Sequence, residues 1–140
     1  SGRDPGKHNY TSTVARCSFD GELLTYRNHG SELTISEGRG LYEPSLTEFA
    51  GRYYLTLRAD RSAYVTRSQD GIDFEPVREW TFDDGKPLGS YNTQQHWVTV
   101  GGGLFLVYTR RGADNDHIVF HTFRLTVTEV QSLTDYAVKV

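Results

Sequence analysis

Apolar and polar residues alternate in short runs along the chain, and no run keeps the 3.6-residue spacing of an amphipathic helix. The alternating runs cover residues 10–17, 23–26, 32–35, 45–49, 53–58, 63–68, 77–82, 97–100, 104–109, 118–123 and 125–130. Turn-forming residues separate them: Asp20-Gly21, Asn28-His29-Gly30, Ala50-Gly51, Asp70-Gly71, Asp84-Gly85 and the glycines at 101 to 103. Runs of this length with turns between them predict an all-β chain in which successive strands are antiparallel neighbours.

The runs repeat. EPSLTEFAGRYYLTLR (43–58) and QHWVTVGGGLFLVYTR (95–110) share a frame: a polar head, small residues at the turn (Ala50-Gly51; Gly102-Gly103), an aromatic-aliphatic run and a closing arginine. Ser18-Phe19-Asp20-Gly21 and Ser68-Gln69-Asp70-Gly71 are both S-x-D-G, offset by fifty positions from 18 to 68. A period of about 50 residues with four strands in each unit is the sequence signature of a β-propeller blade. On this reading residues 1–140 are a single all-β unit, with a partial blade over about 10–40, a blade over 41–88, a blade over 91–130 and a tail or closing strand over 131–140. Two and a half to three blades do not close a ring, since propellers have about four to eight. The chain is therefore expected either to be a piece of a larger protein or to complete a ring by self-association, with a homodimer as the simplest symmetric solution.

The repeat also selects candidate chemistry. With the first turn centred between Ala50 and Gly51, Glu43 and Arg58 are expected directly opposite each other across an antiparallel pair, and the same frame sets Gln95 opposite Arg110. A carboxylate with two arginines fits an acidic sugar or another carboxylate ligand, because a guanidinium forks onto a carboxylate through two charge-assisted hydrogen bonds. The plainer alternative for Glu43 and Arg58 is an ordinary cross-strand ion pair. His96 and Trp97, beside Gln95, suit hydrogen bonding and stacking on a sugar, and Trp97 equally suits core packing. His117 and His121 would share a metal on a helix, but on a strand they stand about 13 Å apart, which removes that reading. Asp114, Asn115 and Asp116 form an acidic loop with the residue types to hold a cation, and a solvated turn is the reading ranked first.

Composition narrows the function classes. The net charge of −3 argues against general binding to nucleic acid or an anionic membrane, and no apolar run approaches the length of a membrane span. Cys17 is the sole cysteine, so there is no internal disulfide, and no cofactor signature is present. The sequence contains no methionine, which reads as a processed chain or an excised portion of one. Localisation is not legible in it.

The segments EPSL, GRYYLTLR and YVTRSQDGIDF together resemble the sialidase-like six-bladed propellers, glycoside hydrolases and relatives that carry Asp-box (BNR) repeats. The Asp box reads roughly S-x-D-x-G-x-x-W; residues 68–74 are similar in shortened form with Phe74 in place of Trp, and residues 18–21 are a more degenerate copy. The resemblance spans about residues 14–130 and is strongest over 39–112. It implies a propeller in which Glu43 is the glutamate that polarises a tyrosine nucleophile, and Arg58 and Arg110 are two of three arginines gripping a sugar carboxylate. Tyr91 is a positional match for the nucleophile. The first arginine and the aspartic acid/base have no counterpart, and HTFRLTV near the C-terminus departs from the pattern.

Three function classes follow. The one ranked first is a non-catalytic or degenerate carbohydrate- or acidic-ligand-binding module that self-associates. The alternatives are an active sialidase-like hydrolase once assembled, needing a nucleophile and an acid/base around the glycosidic bond, and a protein-interaction scaffold. Candidate site residues are Glu43 and Tyr91 for catalysis, and Arg58, Arg110, Gln95 and His96 for ligand binding.

Overall fold

The computed structural model describes residues 9–81, 85, 87, 94–100, 102–111 and 118–125, and every regular element among them is a β-strand. β1 (Ala15–Phe19) pairs with β2 (Leu24–His29); β3 (Tyr42–Phe49), β4 (Arg52–Arg58), β5 (Ala63–Ser68) and β6 (Arg78–Glu79) form a sheet in that order; β7 (Gln95–Val100), β8 (Gly103–Arg111) and β9 (Ile118–Leu125) form another. All the strand pairs are antiparallel. The hairpins follow the turn residues read from sequence. Phe49 pairs with Arg52, so Ala50 and Gly51 alone make the loop, and both have positive φ, 50° and 73°. That is the requirement of the two-residue turn whose twist matches the flanking strands.

β4 is the central strand, and its alternation separates two interiors. Leu55 and Leu57 point to one side and cluster with Leu33, Leu41 and Ala59, with Val14, Ile35, Phe74 and Val77 packed around them. Tyr54 and Thr56 point to the other side, toward β7: the Tyr54 ring is 6.2 Å from Trp97, whose ring is 5.1 Å from the fully buried Trp80. Burying a side chain of this size contributes about 1.5–3 kcal/mol, so both faces of this sheet are held by apolar contact. It stands between the N-terminal segment and the β7 sheet.

Both S-x-D-G segments close hairpins with the same aspartate geometry. Asp70 Oδ1 accepts from the amides of Ile72 and Asp73, each at 2.9 Å; Asp20 Oδ1 accepts from those of Glu22 and Leu23 at 2.9 and 2.8 Å. These backbone bonds hold the Asp70 carboxyl down to about 2 and lower that of Asp20. The serines differ. Ser68 Oγ accepts from the amides of Asp70 and Gly71 at 3.2 and 2.9 Å, whereas Ser18 Oγ accepts from Arg27 Nε at 3.0 Å. The 68–73 turn packs against the open end of the β1–β2 hairpin: the Arg16 guanidinium donates to the Asp70 carbonyl, and Gly30 lies so close that an added Cβ would stand 2.1 Å from the Ile72 carbonyl oxygen.

Several runs are shorter as strands than the alternation predicts. Residues 10–17 are not one strand: Tyr10 bridges Gly40, Ser12 bridges Leu33, and the ladder begins at Ala15. The run 32–35 contributes that one bridge at Leu33. The run 77–82 yields a two-residue strand: Pro76 before it lacks a donor, and past Glu79 the Trp80 amide donates to the Ala63 carbonyl at 2.8 Å while its ring is fully buried. The run 118–123 extends to Leu125, while 126–130 falls outside the described residues. No helix among the described residues is long and apolar enough to cross a membrane.

Candidate functional site

The site grows from a defect in the β3–β4 ladder. Tyr42 pairs with Arg58 and Ser45 with Thr56, so Glu43 and Pro44 together oppose Leu57. This is a β-bulge, a device that re-aims a side chain and is frequent beside functional sites. Glu43 takes φ 50°, a left-handed conformation that costs a non-glycine residue about 1–3 kcal/mol. Its position before a proline, which favours extended backbone, makes that conformation still less favourable. The expectation that Glu43 and Arg58 sit directly opposite is corrected: the extra residue moves Tyr42 into that place. The contact survives, because the bulge turns the carboxylate so that Arg58 Nη1 donates to Glu43 Oε2. The Arg58 side chain is 11% exposed and that of Glu43 35%.

Around this pair lies a network that sequence reasoning did not single out. The Tyr42 ring lies 5.0 Å from the Arg58 guanidinium carbon and 4.8 Å from that of Arg39, both cation–π contacts. Its hydroxyl accepts from Arg39 Nη2 at 2.8 Å and donates to Asp60 Oδ1 at 2.8 Å. Arg39 also binds Asp60 through Nε at 2.7 Å and its amide at 3.0 Å. Asp60 is held down to about 2, first by the Arg39 side chain and then by the Tyr42 hydroxyl. The Tyr42 phenol is pushed up, first by burial and then by its bond to Asp60. The legible signal for this cluster was Gly38-Arg39-Gly40. Both glycines have positive φ, and a Cβ at Gly38 would stand 2.6 Å from Asp60 Oδ2.

The β7 candidates divide. Gln95 pairs with Tyr108, and Arg110 pairs with Val119 on β9, which corrects the expected Gln95–Arg110 opposition. The reason is the register: Val100 pairs with Gly103, which moves the partner of Gln95 by two. Gln95 is 1% exposed; its Oε1 accepts from Thr56 Oγ1 at 2.9 Å, and its Nε2 has no partner among the described residues. Thr56 lies on the same face of β4 as Arg58, two residues away. His96 faces outward, with Nε2 3.3 Å from Gln94 Oε1. Trp97 is core, as its plainer reading held, packed on Trp80 and Tyr54. The structure thus brings Glu43 and Arg58 together, seats Gln95 in the adjoining interior, and turns His96 away from it. Tyr91, His117 and the 114–116 turn lie outside the described residues, and for Arg110 the description is of the backbone alone. Among the described residues no three His, Cys, Asp or Glu side chains are placed to hold a metal ion.

No protein-family model matches the sequence, and no curated protein matches it. A solved structure, "Crystal structure of a thermostable family-43 glycoside hydrolase", aligns at a TM-score of 0.46 and 20% identity over 66% of this chain. The chain spans 32% of that structure's length. A likeness this slight assigns neither family nor activity, so the functional reading rests on the geometry above.

Proposed function

We propose that this chain is part of a sialidase-like β-propeller that binds an acidic sugar or another carboxylate ligand without turning it over, and that it associates with a second copy. The observation that carries the proposal is Glu43. A glutamate kept in left-handed backbone inside a bulge, and aimed at a nearly buried arginine, is strain located at a chosen point. Arg58 supplies planar donors suited to a ligand carboxylate, with Glu43 and Tyr42 fixing the plane of its guanidinium. The paired aspartate-bonded turns at 18–21 and 68–71 support the sialidase-like reading of the fold.

The protonation pattern favours binding over hydrolysis. A glycosidase acid needs a raised pKa, and Asp60, the carboxylate beside this pair, is held far below the usual range and stays ionised. Tyr42, the tyrosine next to Glu43, is pushed toward its neutral form, first by burial, which disfavours the phenolate that an activated nucleophile would need. Self-association is supported by the β1–β2 hairpin, where Phe19 and Leu24 pair across the strands and are each 66% exposed, with Tyr26 beside them at 57%.

The test of the non-catalytic reading is turnover. A panel of fluorogenic sialosides and other acidic glycosides is expected to remain uncleaved. Cleavage that disappears in Glu43→Gln would replace this reading with an active hydrolase.

A further inference from the structure

Tyr10 is an exposed aromatic residue with an unusually fixed backbone. Its amide donates to the Arg39 carbonyl at 2.6 Å, and its carbonyl accepts from the Leu41 amide at 2.9 Å, so the 39–41 loop holds it from both sides. Gly40 makes this approach possible, since a Cβ there would stand 2.2 Å from the Tyr10 carbonyl oxygen. The ring meets Tyr42 edge to face, with centroids 5.7 Å apart and planes inclined by 62°, and the residue keeps 45% of its surface exposed. Tyr42 is the ring that Arg39 and Arg58 both contact. An aromatic surface, two guanidinium groups and two carboxylates therefore form one contiguous rim: Tyr10, Tyr42, Arg39, Arg58, Asp60 and Glu43.

We infer that Tyr10 is the stacking platform for a pyranose ring, so that the ligand class of this site is an acidic sugar and not a simple carboxylate. The inference rests on the acidic-ligand reading above and adds the sugar to it. One face of a pyranose is a patch of C–H groups, and its edge carries hydroxyls. An exposed tyrosine supplies the apolar surface at low entropic cost because it has two side-chain torsions to fix, and its clamped backbone means little order is lost on binding. Arg39 and Asp60 beside it present a donor and an ionised acceptor for hydroxyls, while Arg58 is the group suited to the sugar's carboxylate. A ligand consisting of a carboxylate alone would use Arg58 without covering the exposed surface of Tyr10.

The test is a calorimetric titration of the full chain with N-acetylneuraminic acid, glucuronic acid and acetate, using wild type, Tyr10→Ala, Tyr10→Phe and Arg58→Gln. Melting curves check that each variant is folded. The expected result is that Tyr10→Ala weakens binding of at least one acidic sugar about three- to tenfold, that Tyr10→Phe restores it to within about twofold, and that neither changes acetate binding. Sugar binding lost in Arg58→Gln but unchanged in Tyr10→Ala overturns the stacking role and leaves the acidic-ligand reading standing. Sugar binding absent in wild type, or unaffected by Arg58→Gln, overturns the acidic-ligand reading and the stacking role with it.

Discussion

Arg58 is the cross-strand partner of Tyr42, yet its ion pair is with Glu43, the next residue along β3. The bulge makes this possible, and it gives the pair an energetic signature. Removing either side chain takes away the other's ion-pair partner, so a double-mutant cycle of Glu43→Ala with Arg58→Ala should return a coupling of about 1–2 kcal/mol, between exposed and buried pairs. Glu43→Gly should be more stable than Glu43→Ala by about 1 kcal/mol, because both lose the ion pair but glycine alone accepts the left-handed backbone without strain. Chemical denaturation reads both. An alanine variant more stable than the glycine variant would contradict the strained bulge.

The β3–β4 turn offers an independent check of backbone geometry. Ala50 has φ 50° where glycine or asparagine is favoured. Ala50→Gly is expected to stabilise the chain by about 1 kcal/mol, raising Tm by roughly 2–4 °C. A lower Tm would mean that this hairpin turns in another way.

Asp60 and Asp70 set the acid limb of stability. Each is held near 2 in the folded chain against an ordinary value of 3.8. Because the folded values are depressed, the stability they supply is fully present above about pH 4 and is lost as pH falls through about 2. The unfolding free energy should drop across that window, and Asp60→Asn should flatten part of the drop while lowering stability at pH 7. An unchanged pH profile in that variant would contradict the Arg39–Asp60–Tyr42 network.

Much of this fold was readable in the alternation. The segments 63–68 and 53–58 declare themselves because a short apolar run bounded by turn residues and buried on both faces has few other solutions, and the S-x-D-G segments announce turns whose aspartates bond the next backbone amides. What the pattern missed has a physical cause in each instance. A bulge leaves no trace in a count of positions, so equal spacing from Ala50-Gly51 set Glu43 opposite Arg58 one residue out of register. Three consecutive glycines at 101–103 allow more than one hairpin register, and the pairing of Val100 with Gly103 moved Gln95 onto Tyr108. The Arg39–Tyr42–Asp60 network depends on positive φ at Gly38 and Gly40, which draws together residues that no strand register relates. Gly30 likewise reads as an ordinary turn residue until the Ile72 carbonyl is seen against it.

The β1–β2 hairpin carries the prediction about assembly. Cys17, Phe19, Leu24 and Tyr26 lie on one face of the two strands, and this face bears no formal charge, so two copies can meet there without like-charge repulsion. Size-exclusion chromatography with light scattering should give a closed oligomer, a dimer in the simplest form, and Phe19→Ser with Leu24→Ser should return it to monomer. A monomeric wild type at high micromolar concentration would remove self-association from the account.

The central claim is that the bulge at Glu43 serves a ligand held by Arg58. Its most direct measurement is equilibrium binding of an acidic monosaccharide to wild type and to Arg58→Gln, with both proteins shown to be folded by their melting curves. Measurable binding to wild type and a loss of at least tenfold in Arg58→Gln are expected, since a guanidinium–carboxylate fork is worth about 1.5–3 kcal/mol. Equal binding by the two proteins, or no binding by wild type, would contradict it and leave Glu43 and Arg58 as a structural ion pair.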